Sequence, residues 1–224
     1  MNTIIMACNT IANEVRLAME EVGCQHPVVW VESGLHLQPD LLRKRLQEEL
    51  DIITGADQVL LVFGYCGNAL VGLKPPSFKL IFPDVDDCIS LLLGSCERRK
   101  EISDEAGSYF LTKGWLDNEN NIWADYQHTL KRYGPARTER IFQIMLAHYR
   151  RLVMIETGAY DPAALEETIR HIADTLHMEY QAIPGTIAYI KRLLTGPWDK
   201  GFITINEGET VTIERLYDKL IVQG

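Results

Sequence analysis

No stretch of this 224-residue chain is basic for longer than Arg98-Arg99-Lys100, and the formal charge is −9. Binding along nucleic-acid phosphates needs a footprint rich in lysine and arginine, so nucleic acid is not expected as a partner. Long hydrophobic runs are missing too. Stretches such as Val59 to Phe63 fall far short of the roughly 20 apolar residues of a membrane helix. The N-terminus enters a strand-like segment with no basic n-region and no cleavage site, so neither export nor membrane insertion is expected and the expected compartment is the cytoplasm. In that compartment thiols stay reduced, so the five cysteines are not expected to form a disulfide framework. They are either buried small hydrophobes, or ligands and nucleophiles.

Chemical signatures are equally scarce. The sequence has no C-x-x-C pair, no H-x-x-x-H pair among its six histidines, no G-x-G-x-x-G, no G-x-x-x-x-G-K-[ST] and no G-x-S-x-G. These absences remove the familiar zinc-motif, dinucleotide, P-loop and α/β-hydrolase readings. Apolar residues make up 46% of the chain and charged residues 24%, an ordinary globular composition that can bury a core without staples.

What is present is alternation. Thr3 to Ala7 is short, continuously apolar and strand-like, and Ile11, Val15, Ala18, Met19 and Val22 follow at helical spacing. The pattern repeats: strand Pro27 to Val31 and helix Pro39 to Ile53, then strand Gln58 to Phe63 into the turn Gly64-Tyr65-Cys66-Gly67-Asn68. A fourth strand, Lys79 to Phe82, runs into Pro83-Asp84-Val85-Asp86-Asp87-Cys88 and a short helix that Gly94 ends. Strands joined by helix-length connections predict a Rossmann-like layered α/β fold with a mostly parallel sheet. Residues 108–148 change character, with Tyr109-Phe110-Leu111, Gly114-Trp115 and two helical patterns split at Tyr133-Gly134-Pro135. We read them as a helical insert or cap. Alternation then resumes to Phe202–Asn206, and residues 1–224 are read as a single α/β domain.

In open parallel sheets the ligand crevice lies beyond the carboxyl ends of the strands. Cys8 directly follows the first strand, Cys66 lies in the turn after the third, and Cys88 opens the segment after the fourth. Strands are spaced about 4.8 Å apart, so the three thiols can share one metal ion or iron–sulfur cluster if the strand order brings them together. The other reading is that these cysteines merely pack at strand ends. Cys24 is placed on the opposite rim, about 20 Å along a helix, and Cys96 about 12 Å from Cys88 along a continuous helix; both are left out of the site. Gly64 and Gly67 let backbone approach whatever sits at Cys66. Asp84 and Asp86 are read as helix caps, and Asp87 stays open as cap, ligand or base beside Cys88. His36 is a weaker ligand candidate, and Glu14, which reaches the rim only if its side chain points back, is read at least as readily as a surface or capping residue.

Taken together, Cys8 with Glu14 after it, Gly64-Tyr65-Cys66-Gly67, Asp87-Cys88 leading into Leu91-Leu92-Leu93-Gly94, and Tyr109-Phe110-Leu111-Thr112 with Gly114-Trp115 resemble domain-of-unknown-function family 1638. That family has no settled biochemical activity. The resemblance implies an association with corrinoid-dependent methyltransferase systems that handle methylamines and related methyl donors, and it singles out the same three cysteines. The expectation is therefore a metal- or cofactor-binding protein of one-carbon methyl transfer, holding iron–sulfur, zinc or a corrinoid-related ligand. Its expected partner is a corrinoid protein or a methyltransferase. Two alternatives stay open: a metal-free enzyme with a cysteine nucleophile tuned by Asp87 or His36, and a non-catalytic binding partner of a methyltransferase.

Overall fold

A computed structural model of the chain describes residues 1–118 and 121–221. The first half runs β1 (Thr3–Cys8), α1 (Ala12–Glu21), β2 (Val28–Val31), α2 (Pro39–Ile52), β3 (Gln58–Val62), β4 (Lys79–Pro83), α3 (Cys88–Leu93) and α4 (Cys96–Glu105). Every residue of β3 is buried, as a strand covered by helices on both faces must be. Leu42, Leu46 and Leu50 put one stripe of α2 into the core, and Pro39 opens that helix where its missing N–H has no intrahelical partner to lose.

The second half runs β5 (Ser108–Leu111), α5 (Lys113–Leu116), α6 (Ile122–Tyr133), α7 (Pro135–Met145), β6 (Arg151–Glu156), α8 (Ala163–Thr175) and β7 (Glu179–Pro184). It closes with α9 (Ala188–Thr195), β8 (Phe202–Ile205) and α10 (Ile213–Ile221). The larger sheet has the order β2-β1-β3-β4-β8, parallel except for β8, which pairs antiparallel with β4. The smaller one is β5-β6-β7, all parallel. The molecule is thus a mixed α/β protein of Rossmann-like layered type with a mostly parallel sheet.

The sequence reading expected 108–148 to interrupt one sheet as a helical insert. The helices α5, α6 and α7 are there, but Ser108–Leu111 is the edge strand of the second sheet, and β6 and β7 extend that sheet rather than the first. The chain leaves the first lobe after α4 and returns with α9, which packs on α1, β3 and β4. The lobes are not independent. Val153 and Ile155, on one face of β6, join the core of the first sheet together with Ile183 and Ile187. Leu152 and Met154, on the other face, pack with Phe142, Ile169 and Ile172 under α7 and α8. The period-2 alternation of β6 therefore serves two cores. Among the described residues no helix is long and apolar enough to cross a membrane.

Candidate functional site: a thiol-lined cleft between the lobes

In the larger sheet β1 lies between β2 and β3, so the direction of strand addition reverses after β2, and the carboxyl ends of β1 and β3 flank the resulting switch point. Ligands of open α/β sheets bind at such points. Here a cleft of about 540 Å³ opens, within the range of small-molecule sites. Cys8, Cys66 and Cys88 line one wall, Tyr109, Phe110 and Trp115 come from the second lobe, and Tyr217 of α10 also reaches it. The adjacency of β1, β3 and β4 brings the three cysteines to one rim.

The turn after β3 is unusual. Cys66, Gly67 and Asn68 have φ of 46°, 66° and 69°, and left-handed backbone is costly for the two residues that are not glycine. Surrounding bonds hold it there. Tyr65 N–H donates to Val85 O at 2.9 Å and Cys66 N–H to Asp86 O at 2.8 Å, while the Tyr217 hydroxyl donates to Asn68 Oδ1 at 2.7 Å. Gly64 is required by close packing of the two loops: a Cβ there would lie 2.4 Å from Asp87 Cα. A Cβ on Gly67 would come within 3.0 Å of Pro39 Cγ. Both glycines thus serve the loop that presents the thiols.

The acidic loop sorts differently from the sequence expectation. Asp87, left open, is the cap of α3, accepting from Ser90 N–H at 2.9 Å, and its other oxygen pairs with Arg99 Nη2 at 3.0 Å. Asp84 accepts from the Tyr65 hydroxyl and does not cap. Cys96 is not carried away along a continuous helix. Gly94, at φ 90°, ends α3, Ser95 caps α4, and the chain doubles back until Cys96 Sγ accepts from Asp86 N–H at 3.4 Å. Cys96 thus lies against the acidic loop without lining the cleft. Cys24 follows α1, on the rim from which β2 begins, as expected.

Burial pushes the Cys8 thiol up to about 12, with the charge of Cys88 adding to it and contacts from Thr10 opposing it. Cys88 opens a helix, a position that usually lowers a thiol, yet it is raised well above its ordinary value by its hydrogen bond with the Cys66 thiol and by burial. Burial likewise lowers His36, against the nearby charge of Asp87, so its imidazole on the cleft wall is neutral at neutral pH. Among the described residues no group of three or more His, Cys, Asp or Glu side chains is disposed to hold a metal ion.

Glu14 is the residue most misread from sequence. It is fully buried where α1 meets the loop after β6. Its Oε1 accepts from the Thr157 hydroxyl at 3.0 Å, and its Oε2 has no hydrogen-bond partner among the described residues. Burial raises its carboxyl. Arg99 and Tyr217 also escaped the sequence reading. Each belongs to the site through tertiary packing rather than any local pattern.

A family model described as "Protein of unknown function (DUF1638)" matches residues 30–194. No curated protein matches the chain.

Proposed function

The chain belongs to that family of unknown function, and we propose that within it the interlobe cleft binds a soft metal ion or cluster on Cys8, Cys66 and Cys88 and takes a small ligand beside it. The observation that carries this reading is the opening of three thiols, from three neighbouring strand ends, into one cleft of ligand size. Each cysteine turns about a single χ1 bond, and rotation about it is the movement that gathers the sulfurs around a common ion. Cys8 and Cys88 are held as protonated thiols, which argues against an activated thiolate nucleophile. Buried like groups that raise one another are instead suited to a cation, which supplies the missing counter-charge. The donor set is soft, fitting zinc or iron–sulfur over magnesium or calcium. When bound, such a centre supplies either activation of a thiol toward methyl transfer or electron transfer. The setting we infer is corrinoid-dependent one-carbon methyl transfer, with a corrinoid protein or methyltransferase as partner, as the family resemblance implies. The chain's own residues supply the rest: Gly64 lets the turn of Cys66 pack against the loop before Cys88, Asp87 and Arg99 brace that loop, and Tyr109, Phe110 and Trp115 exclude water.

The test is metal content after anaerobic reconstitution, with zinc and separately with iron and sulfide. Native protein and Cys24→Ser are expected to hold the metal, and Cys66→Ser to lose it while keeping its circular dichroism spectrum, because a hydroxyl is a poorer, harder ligand. Near-zero metal in all three proteins under both conditions overturns the reading.

A further inference from the structure

The hairpin of α6 and α7 departs from the rest of the surface in two ways, and the first is charge. Residues 126–155 hold six of the chain's 22 lysines and arginines but one of its 31 acids, Glu139, so this stretch carries +5 and the remainder −14. Elsewhere helix cations such as Arg45, Arg98 and Arg170 pair with carboxylates of their own chain. Lys131, Arg132, Arg137 and Arg140 are all exposed, and among the described residues none of them has a carboxylate partner. Arg132 and Arg137 instead place their guanidinium groups over the Tyr133 ring, at 5.2 and 4.8 Å, which fixes both cations at the hairpin turn. The second departure is apolar exposure. α7 buries Thr138, Phe142 and Leu146 at four-residue spacing, yet its solvent side carries Ile141, Ile144 and Met145, exposed by 37%, 73% and 49%. A helix face left to water is ordinarily polar, and a contiguous apolar patch marks a contact surface. Four residues separate Arg137 from Ile141, Ile141 from Met145, and Arg140 from Ile144. Each row of this face therefore begins in a cation at the hairpin turn and ends in an apolar side chain.

We propose that this face of α7 docks an acidic amphipathic helix of another protein, with the partner's apolar stripe on Ile141, Ile144 and Met145 and its carboxylates on Lys131, Arg132, Arg137 and Arg140. Charge complementarity selects the occupant. Four exposed cations without carboxylate partners, on a chain of net charge −9, are matched by carboxylates, and the apolar rows beside them are matched by the i, i+3, i+4 stripe of a helix. Their arrangement selects a protein over a lipid surface. In a helix lying on a membrane the cations flank the apolar face along its length, whereas here they are gathered at one end, which gives the contact a direction. A second copy of the chain is a poor match. Pairing the two faces about a two-fold axis brings the arginines to Ile144 and Met145 or to one another. The only acid of the stretch, Glu139, points to the other side of α7, with its Oε1 3.7 Å from His177 Nε2. The surface is separate from the thiol-lined cleft, and the inference stands whether or not that cleft holds a metal.

The test is fluorescence anisotropy of the full-length protein with a labelled helical peptide of about 18 residues, carrying leucines spaced three and four apart and three glutamates in its first turn. The native protein should bind it, and a peptide with lysine in place of each glutamate should not bind. Arg137→Glu combined with Arg140→Glu, and separately Ile144→Asp, should each weaken binding about tenfold or more, and added salt should weaken the native complex. Ile52→Asp, at a site 70% exposed on α2, is the control and should bind as the native protein does. All of these side chains face solvent, so circular dichroism and the unfolding midpoint should stay at native values. Sedimentation velocity and flotation with phosphatidylserine vesicles accompany the titration. No binding of the glutamate peptide, equal binding of the lysine peptide, or unchanged binding by the α7 variants overturns the proposal. So does a dimer that Ile144→Asp abolishes, which would make the occupant a second copy, or vesicle binding that Ile144→Asp abolishes, which would make it a membrane.

Discussion

At the scale of single residues, the molecule's least comfortable group is the Glu14 carboxyl. It is sealed between the lobes with one oxygen bonded to Thr157 and the other unpartnered among the described residues. Burial raises it above its ordinary value of 4.5. From that value up to its raised one, the folded protein keeps a proton that the unfolded chain has released. Its contribution to stability therefore falls as pH rises through that window and stays reduced above it. Glu14→Gln keeps an acceptor for Thr157 and removes the ionisation. We predict that urea unfolding near neutral pH shows the variant more stable than the native protein by about 1–3 kcal/mol, with the advantage vanishing at about pH 4 as the native carboxyl protonates. Parallel stability profiles across that range would show that the carboxyl is not the source. Glu14 could have been placed from sequence: it stands three residues after Ile11 and four before Ala18, on the same stripe as the buried Val15. A charge at that register belongs to the apolar face. Reading it as a surface residue weighed residue type above position.

At the scale of elements, what was legible is what is local. The first four strands and their helices could be read to within a residue or two, because apolar runs and helical spacing depend only on neighbours in sequence. The shared rim of Cys8, Cys66 and Cys88 followed, because each lies at the carboxyl end of a strand or within five residues of it. Assignment of strands to sheets was not legible. β5 and β6 carry apolar runs like the strands before them and β7 is a more polar edge strand, and nothing in their composition tells one sheet from another. The reversal at Gly94 also escaped, since a glycine after Leu93 marks the end of a helix but not the direction of the next, and so Cys96 was placed too far away. The docking of α5 is the element contact that sets the cleft. Gly114 meets the turn after Cys8 so closely that a Cβ would lie 1.8 Å from Thr10 O, and Trp115 follows it into the cleft wall. Gly114→Ala is predicted to cost about 3 kcal/mol or more by overpacking and to shift Trp115 fluorescence. Gly158→Ala, left-handed at φ 80° but with open space around it, should cost about 1–2 kcal/mol with the fluorescence unchanged. Equal costs in denaturant titrations would remove the docking contact from the account.

At the scale of the whole molecule, two sheets raise the question of whether the lobes unfold apart. Three features tie them together. The second lobe contributes Val153, Ile155, Ile183 and Ile187 to the first core. The chain crosses back so that α9 and β8 complete the first sheet only after the second has been made. Thr186 N–H donates to Leu92 O at 2.7 Å across the seam, beside the Glu14–Thr157 bond. Unfolding the second lobe alone would expose apolar surface of the first core at about 25 cal/mol per Å² and strip the seam of its hydrogen bonds. The prediction is one cooperative thermal transition, with the calorimetric and van't Hoff enthalpies in agreement. The same midpoint should be reported by near-ultraviolet signals from Trp198, which packs with the first core, and from Trp123, which packs with the second. Cys66→Ser, if it leaves the fold intact, should keep that single transition, because the thiols line the cleft and not the seam. Two resolved transitions, with Trp123 reporting the earlier one, would show instead that the second lobe is a separately stable unit and that the cleft opens by local unfolding rather than by the movement of side chains.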